Sequence, residues 1–181
     1  MRAFLIGFAA LSLTACDSNT VPSPAERQSG AAPAMAPVDE TLVSLRGDGL
    51  AAGAEAFYFA AGQSEVTAAL SATLGAQTSG GPMTECGAGP MENASFPGGL
   101  TVNFKDGIFV GWFHNNGSDQ ISVDGEFGIG AARGDVEALP GFAAIEGSTL
   151  GEEFALGDRI GGIFEGDAVS TLYAGTQCFF R

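Results

Sequence analysis

Chemistry in this chain must come from one histidine, three cysteines and 21 acidic side chains. His114 stands in His114-Asn115-Asn116-Gly117, directly after a strand-like run, and reads as a turn residue. A catalytic base needs a nucleophile or an orienting partner within reach. No Gly-x-Ser-x-Gly elbow offers one, so no catalytic residue is assigned. The acidic residues fall as singles and pairs, as in Glu152-Glu153, without the Asp-x-Asp-x-Asp-Gly spacing of a calcium loop. No metal site is expected. Gly47-Asp48-Gly49, Gly87-Ala88-Gly89 and Gly128-Ile129-Gly130 each give Gly-x-Gly, but none extends to Gly-x-Gly-x-x-Gly between a strand and a helix. A dinucleotide enzyme is therefore excluded, and no cofactor is expected. Cys86 and Cys178 stand in similar settings, Thr84-Glu85-Cys86 and Thr176-Gln177-Cys178, with no Cys-x-x-Cys pattern.

The charge balance narrows the partners. The formal net charge is −14, and Lys105 is the only lysine. So acidic a surface argues against nucleic acid and against electrostatic binding to anionic headgroups.

The elements that must position these groups are read from pattern. Val66, Ala69, Leu70 and Leu74 share one face at helical spacing, which predicts a helix over residues 63–74, stopped by Gly75. Leu100–Phe104 and Ile108–Phe113 flank Lys105-Asp106-Gly107 and predict a hairpin. Ile160–Phe164 and Ala168–Tyr173 flank Glu165-Gly166-Asp167 and predict a second. The segment starting at Phe57 lines up with the one starting at Phe127 at an offset of 70, matching Phe57/Phe127, Ala61/Ala131, Val66/Val136 and Ala68/Ala138. Pro140 ends the second helix early. The fold expected is α+β: an antiparallel sheet with helices on one face, in two pseudo-repeats of helix plus hairpin, about 42–125 and 126–181. With a two-residue turn at Asp106-Gly107, one face of the first hairpin carries Asn103, Ile108, Val110 and Trp112, a candidate contact patch. A three-residue turn would instead bury Trp112 and expose Phe109 and Phe113. The patch is either open or covered by another segment.

The first sixteen residues complete the picture. Met1-Arg2 is basic, the eleven residues from Ala3 to Leu13 are apolar, and Leu13-Thr14-Ala15-Cys16 closes the run. Eleven residues are too few to span a bilayer, which takes about 20, but suit an export signal. Leu13-Thr14-Ala15-Cys16 resembles the lipobox of bacterial lipoproteins. That resemblance implies cleavage after residue 15, acylation of Cys16 and anchoring to the bilayer. Pro22, Pro24, Pro33 and Pro37, with Ser, Ala and Gly between them, predict a Pro/Ala/Ser-rich, disordered tether over 16–41, followed by one globular domain over 42–181. Without residues 1–15, six basic residues face 21 acidic ones. With Cys16 acylated in an oxidising compartment, Cys86 and Cys178 are expected to form a disulfide, closing a loop of roughly 90 residues at about 4–5 kcal/mol. The duplicated helix-plus-strands pattern also resembles the β-lactamase inhibitor protein fold, shared with small lipoproteins of the β-barrel assembly machinery. That likeness implies a sheet with one face free for a partner. The expected function is a non-enzymatic, membrane-anchored envelope lipoprotein that binds another envelope protein through a sheet face. The alternative is a small-molecule or ion-binding envelope lipoprotein.

Overall fold

The computed structural model describes residues 42–125 and 127–179. The signal segment, Cys16 and the tether lie outside the described residues. Strands make up 46% of the structure and helices 12%. The expected α+β layering is thus corrected to a mostly-β fold, with two sheets and two short helices among the described residues. The reason is local. Gly/Ala-rich segments with little strand character of their own become strands by pairing, because strand formation follows tertiary context more than propensity.

The smaller sheet has four strands, β1 (Val43–Arg46), β2 (Gly49–Ala52), β3 (Glu55–Tyr58) and β8 (Ile121–Val123), in the order β3-β2-β1-β8. Two tight turns make β1–β3 a meander, and β8 joins β1 in parallel, Val43 opposite Ile121 and Leu45 opposite Val123. The larger sheet has eight strands: β4 (Ser79–Met83), β5 (Met91–Phe96), β6 (Leu100–Lys105), β7 (Ile108–His114), β9 (Phe142–Ala144), β10 (Glu152–Leu156), β11 (Ile160–Glu165) and β12 (Ala168–Gly175). Its order, β4-β5-β6-β7-β12-β11-β10-β9, is two antiparallel meanders joined where β7 meets β12. The helix α1 (Gln63–Leu74) buries Val66, Leu70 and Leu74 and touches β1, β2, β5 and β7. It fills the core between strands of both sheets. The second helix, α2 (Arg133–Glu137), is five residues long and buries Val136.

The two halves share a backbone pattern. Ala60 N–H donates to Phe109 O at 2.8 Å, and Gly130 N–H to Val169 O at 2.8 Å. Gln63 N–H donates to Gly107 O at 2.9 Å, and Arg133 N–H to Asp167 O at 2.8 Å. Gly62 bridges Ile108 as Ala132 bridges Ala168. Side chains follow: Gln63 Nε2 donates to Glu92 Oε2 at 3.0 Å, and Arg133 Nη2 to Glu152 Oε2 at 2.5 Å. Each half therefore clamps the start of its helix onto a hairpin, and each contributes four strands to the larger sheet rather than the expected two.

Both hairpins carry a bulge in the same place. Phe104 pairs with Phe109 and Asn103 with Gly111, so Val110 is extra. Phe164 pairs with Val169 and Ile163 with Thr171, so Ser170 is extra. In the first hairpin the turn is two residues long, with φ of 52° at Asp106 and 76° at Gly107, the geometry Asp-Gly favours. The bulge then shifts the alternation by one residue beyond it. Phe109 and Trp112 both point into the core, along with Leu100, Val102 and Phe104.

Candidate functional site

The bulge decides the fate of the expected contact patch. Trp112 is fully buried, and its Nε1–H donates to the carbonyl of Arg46 at 2.8 Å, tying β7 to the end of β1. It is a core residue, not a surface anchor. Asn103 is also buried: its Nδ2 donates to Thr176 O at 3.2 Å and Gln177 Oε1 at 3.0 Å. Val110 is half-buried and accepts Thr176 N–H at 2.8 Å. Ile108 alone stays exposed, at 41%.

What covers the patch is the segment after β12. Residues 176–179 run across the sheet face opposite the core as a strap. Phe179 packs edge-on to Tyr173, ring centroids 5.0 Å apart, and to Phe113 at 6.4 Å. Gln177 Nε2 donates to Trp112 O at 2.9 Å and Ala174 O at 2.7 Å. The approach needs a glycine: a Cβ on Gly111 would sit 2.4 Å from Thr176 O.

The strap carries Cys178 to Cys86. Both thiols line one cleft, and the Cys178 thiol is pushed up to about 11, mainly by burial and then by Cys86, while the Gly87 backbone pulls the other way. Both are free thiols in the structure, so the expected disulfide is not formed here. The fold supplies proximity; the bond itself is an oxidation that needs an electron acceptor. Cys86 is buried, and its thiol donates to Met91 Sδ at 3.6 Å.

His114 is buried in the hairpin core opposite Leu100 and Leu172. Burial lowers its pKa from 6.5, against a smaller opposing effect of a hydrogen bond with the Gly99 backbone. Its Nδ1 has no partner. No nucleophile or carboxylate shares a hydrogen bond with it among the described residues.

The exposed apolar side chains lie elsewhere. Tyr58, 59% exposed, and Ile108 are the only exposed large hydrophobic residues among those described. They stand on adjoining segments: Ala61 N–H donates to Tyr58 O at 3.0 Å, and Phe109 N–H to Ala61 O at 2.8 Å. The Tyr58 ring is held by the Arg46 guanidinium, 4.9 Å from its centroid, and Arg46 Nε lies 3.4 Å from Asp48 Oδ1. Beside Ile108, the acids Asp106 and Glu92 line a cleft with Gln63, Phe104 and Gly107. The counterpart cleft in the second half, about 260 Å³, is lined by Arg133, Glu137, Glu152, Glu153 and Phe164. There the Arg133 guanidinium lies over Phe164, 4.3 Å from the ring centroid, and pairs with Glu152. Glu153, buried, accepts hydrogen bonds from Ser148 at 2.5 Å and from the Tyr173 hydroxyl. Among the described residues, no three His, Cys, Asp or Glu side chains gather as a metal set, and no helix is long and apolar enough to cross a membrane.

Comparison with protein-family models, with curated proteins and with solved structures finds no match to this chain.

Sequence reading missed Tyr58, because β2 and β3 carry no alternating pattern that would set its direction. It also missed the strap.

Proposed function

We propose that the protein is a lipid-anchored envelope lipoprotein, not an enzyme, whose folded domain binds another envelope protein at the corner formed by Tyr58 and Ile108. The anchor rests on Leu13-Thr14-Ala15-Cys16, with the acyl chains on Cys16 in the bilayer. The binding reading rests on one observation. Two exposed hydrophobic side chains sit on mutually hydrogen-bonded segments, and one is an aromatic ring already fixed over a guanidinium. An anchor ordered before contact loses little side-chain entropy on binding, and Tyr is enriched among residues that carry binding energy. The rim is acidic through Asp106 and Glu92. The complementary partner surface is basic around an apolar centre.

The test is crosslinking and capture of the intact lipoprotein from envelopes, beside a Tyr58→Ser, Ile108→Ser double variant. The expected result is a recurrent captured protein that the variant loses, with thermal unfolding unchanged. Identical capture profiles for the two would overturn the contact surface. A mature chain with no acyl mass on Cys16 would overturn the anchor. Ion binding, the second reading, is favoured by the sulfur groups around Cys86.

A further inference from the structure

The described residues hold four sulfur atoms, in Met83, Cys86, Met91 and Cys178, and all four lie in one region. Cys86 Sγ is 3.6 Å from Met91 Sδ. Cys178, brought in by the strap, lines one cleft with Cys86. Met83 lines the same cleft as both cysteines, and its Sδ accepts Asn93 Nδ2–H at 3.5 Å. We propose that Cys86, Cys178 and Met91, with Met83 at the rim, form a binding site for a soft monovalent cation, Cu(I).

Three features support this. The first is donor type. Thiolate with thioether selects Cu(I) over hard divalent ions, which want oxygen, and the thioethers are what complete a set that His, Cys, Asp and Glu do not. The second is access. A cleft of about 400 Å³ lined by Pro82, Met83, Thr84, Glu85, Cys86 and Cys178 leads in from solvent, with Glu85 adding negative charge. The third is rigidity. Lys105 Nζ donates to Ala88 O at 2.8 Å and Gly89 N–H to Cys86 O at 2.9 Å, which fixes the loop before β5. Asn103 and Gln177 fix the strap. Ligands held in place before binding favour one coordination geometry.

The step is ligand exchange without electron transfer. Cu(I) leaves its carrier, two thiols release two protons to water, and two Cu–S(thiolate) bonds and a Cu–S(thioether) bond form. Because protons are released, affinity rises with pH. Oxidation of the pair to a disulfide, which removes two electrons, is the competing fate of the same sulfurs.

The experiment uses the full chain with Cys16→Ser, so that Cys86 and Cys178 are its only thiols. It is fully reduced under nitrogen and titrated with Cu(I) in competition with a bicinchoninate chelator. The expected result is one copper retained per chain, with loss of two protons by native mass spectrometry. Met91→Leu should weaken retention about tenfold or more, and Cys178→Ser should weaken it further. Met91→Leu conserves volume, so its unfolding midpoint reports whether the fold is kept. No copper held by the reduced chain would overturn the proposal. So would equal retention by a Met83→Leu, Met91→Leu double variant, or a disulfide that reductant does not open.

Discussion

Val110 stands where β6 offers no partner, and that extra residue turns Trp112 inward. The indole then supplies both packing and a donor for the Arg46 carbonyl. Trp112→Phe keeps most of the packing but leaves that carbonyl unpaired, which should cost about 1–3 kcal/mol. Trp112→Ala should cost about 3–5 kcal/mol. Urea unfolding followed by Tyr fluorescence checks both, because Trp112 is the only tryptophan. His114 gives a pH signature. Its folded pKa lies below 6.5, so between the two values the unfolded chain binds a proton that the folded chain refuses. Stability is therefore complete above pH 6.5 and falls as the pH drops through that window, with a slope of up to about 1.4 kcal/mol per pH unit for one proton. Comparing urea midpoints from pH 8 to 5 with a His114→Gln variant isolates the effect. The variant should lose that part of the slope. Residue chemistry was partly legible. His114, read as a turn residue after a strand, is instead the buried last residue of β7. The direction of Trp112 was not legible, because a bulge leaves no mark in hydrophobic alternation.

At the scale of elements, strong local signals carried through. Val66, Leu70 and Leu74 set α1 at its observed ends, and Asp106-Gly107 set the turn between β6 and β7. Gly107 has φ 76° with open space around its missing Cβ. Gly107→Ala should thus cost about 1 kcal/mol through backbone strain alone, seen as a lower urea midpoint with unchanged m. The strands β1–β3, β8 and β9 were not legible. Gly49-Leu50-Ala51-Ala52 and Phe142-Ala143-Ala144 are too short and too small-sided to show a period. Their conformation comes from the strands beside them. The candidate surface was legible only at Ile108, the residue before the bulge. Every expected contact beyond it changed exposure.

At the scale of the whole described domain, the larger sheet has one face closed by the core and the other crossed by the strap of residues 176–179. Gly111→Val should lift the strap, since the added Cβ meets Thr176 O at 2.4 Å. Expected outcomes are faster proteolysis after residue 175 and stronger binding of a hydrophobic dye to the uncovered Phe113 and Tyr173. Removing residues 176–181 should give the same dye signal. The parallel pairing of β1 with β8 has a kinetic consequence. β1 has Leu45 opposite Val123, and β12 has Tyr173 opposite Phe113, so neither sheet closes from neighbours in sequence. Chains dominated by such distant pairings fold slowly, because loop closure precedes the contacts that reward it. In a chain that emerges from its N-terminus, β1 can pair with β2 at once, but its other edge lacks its partner until residue 123 has emerged. Over that interval Val43 and Leu45 stay open to other strands, and a protein that shields such edges during transit would raise the yield of folded molecules.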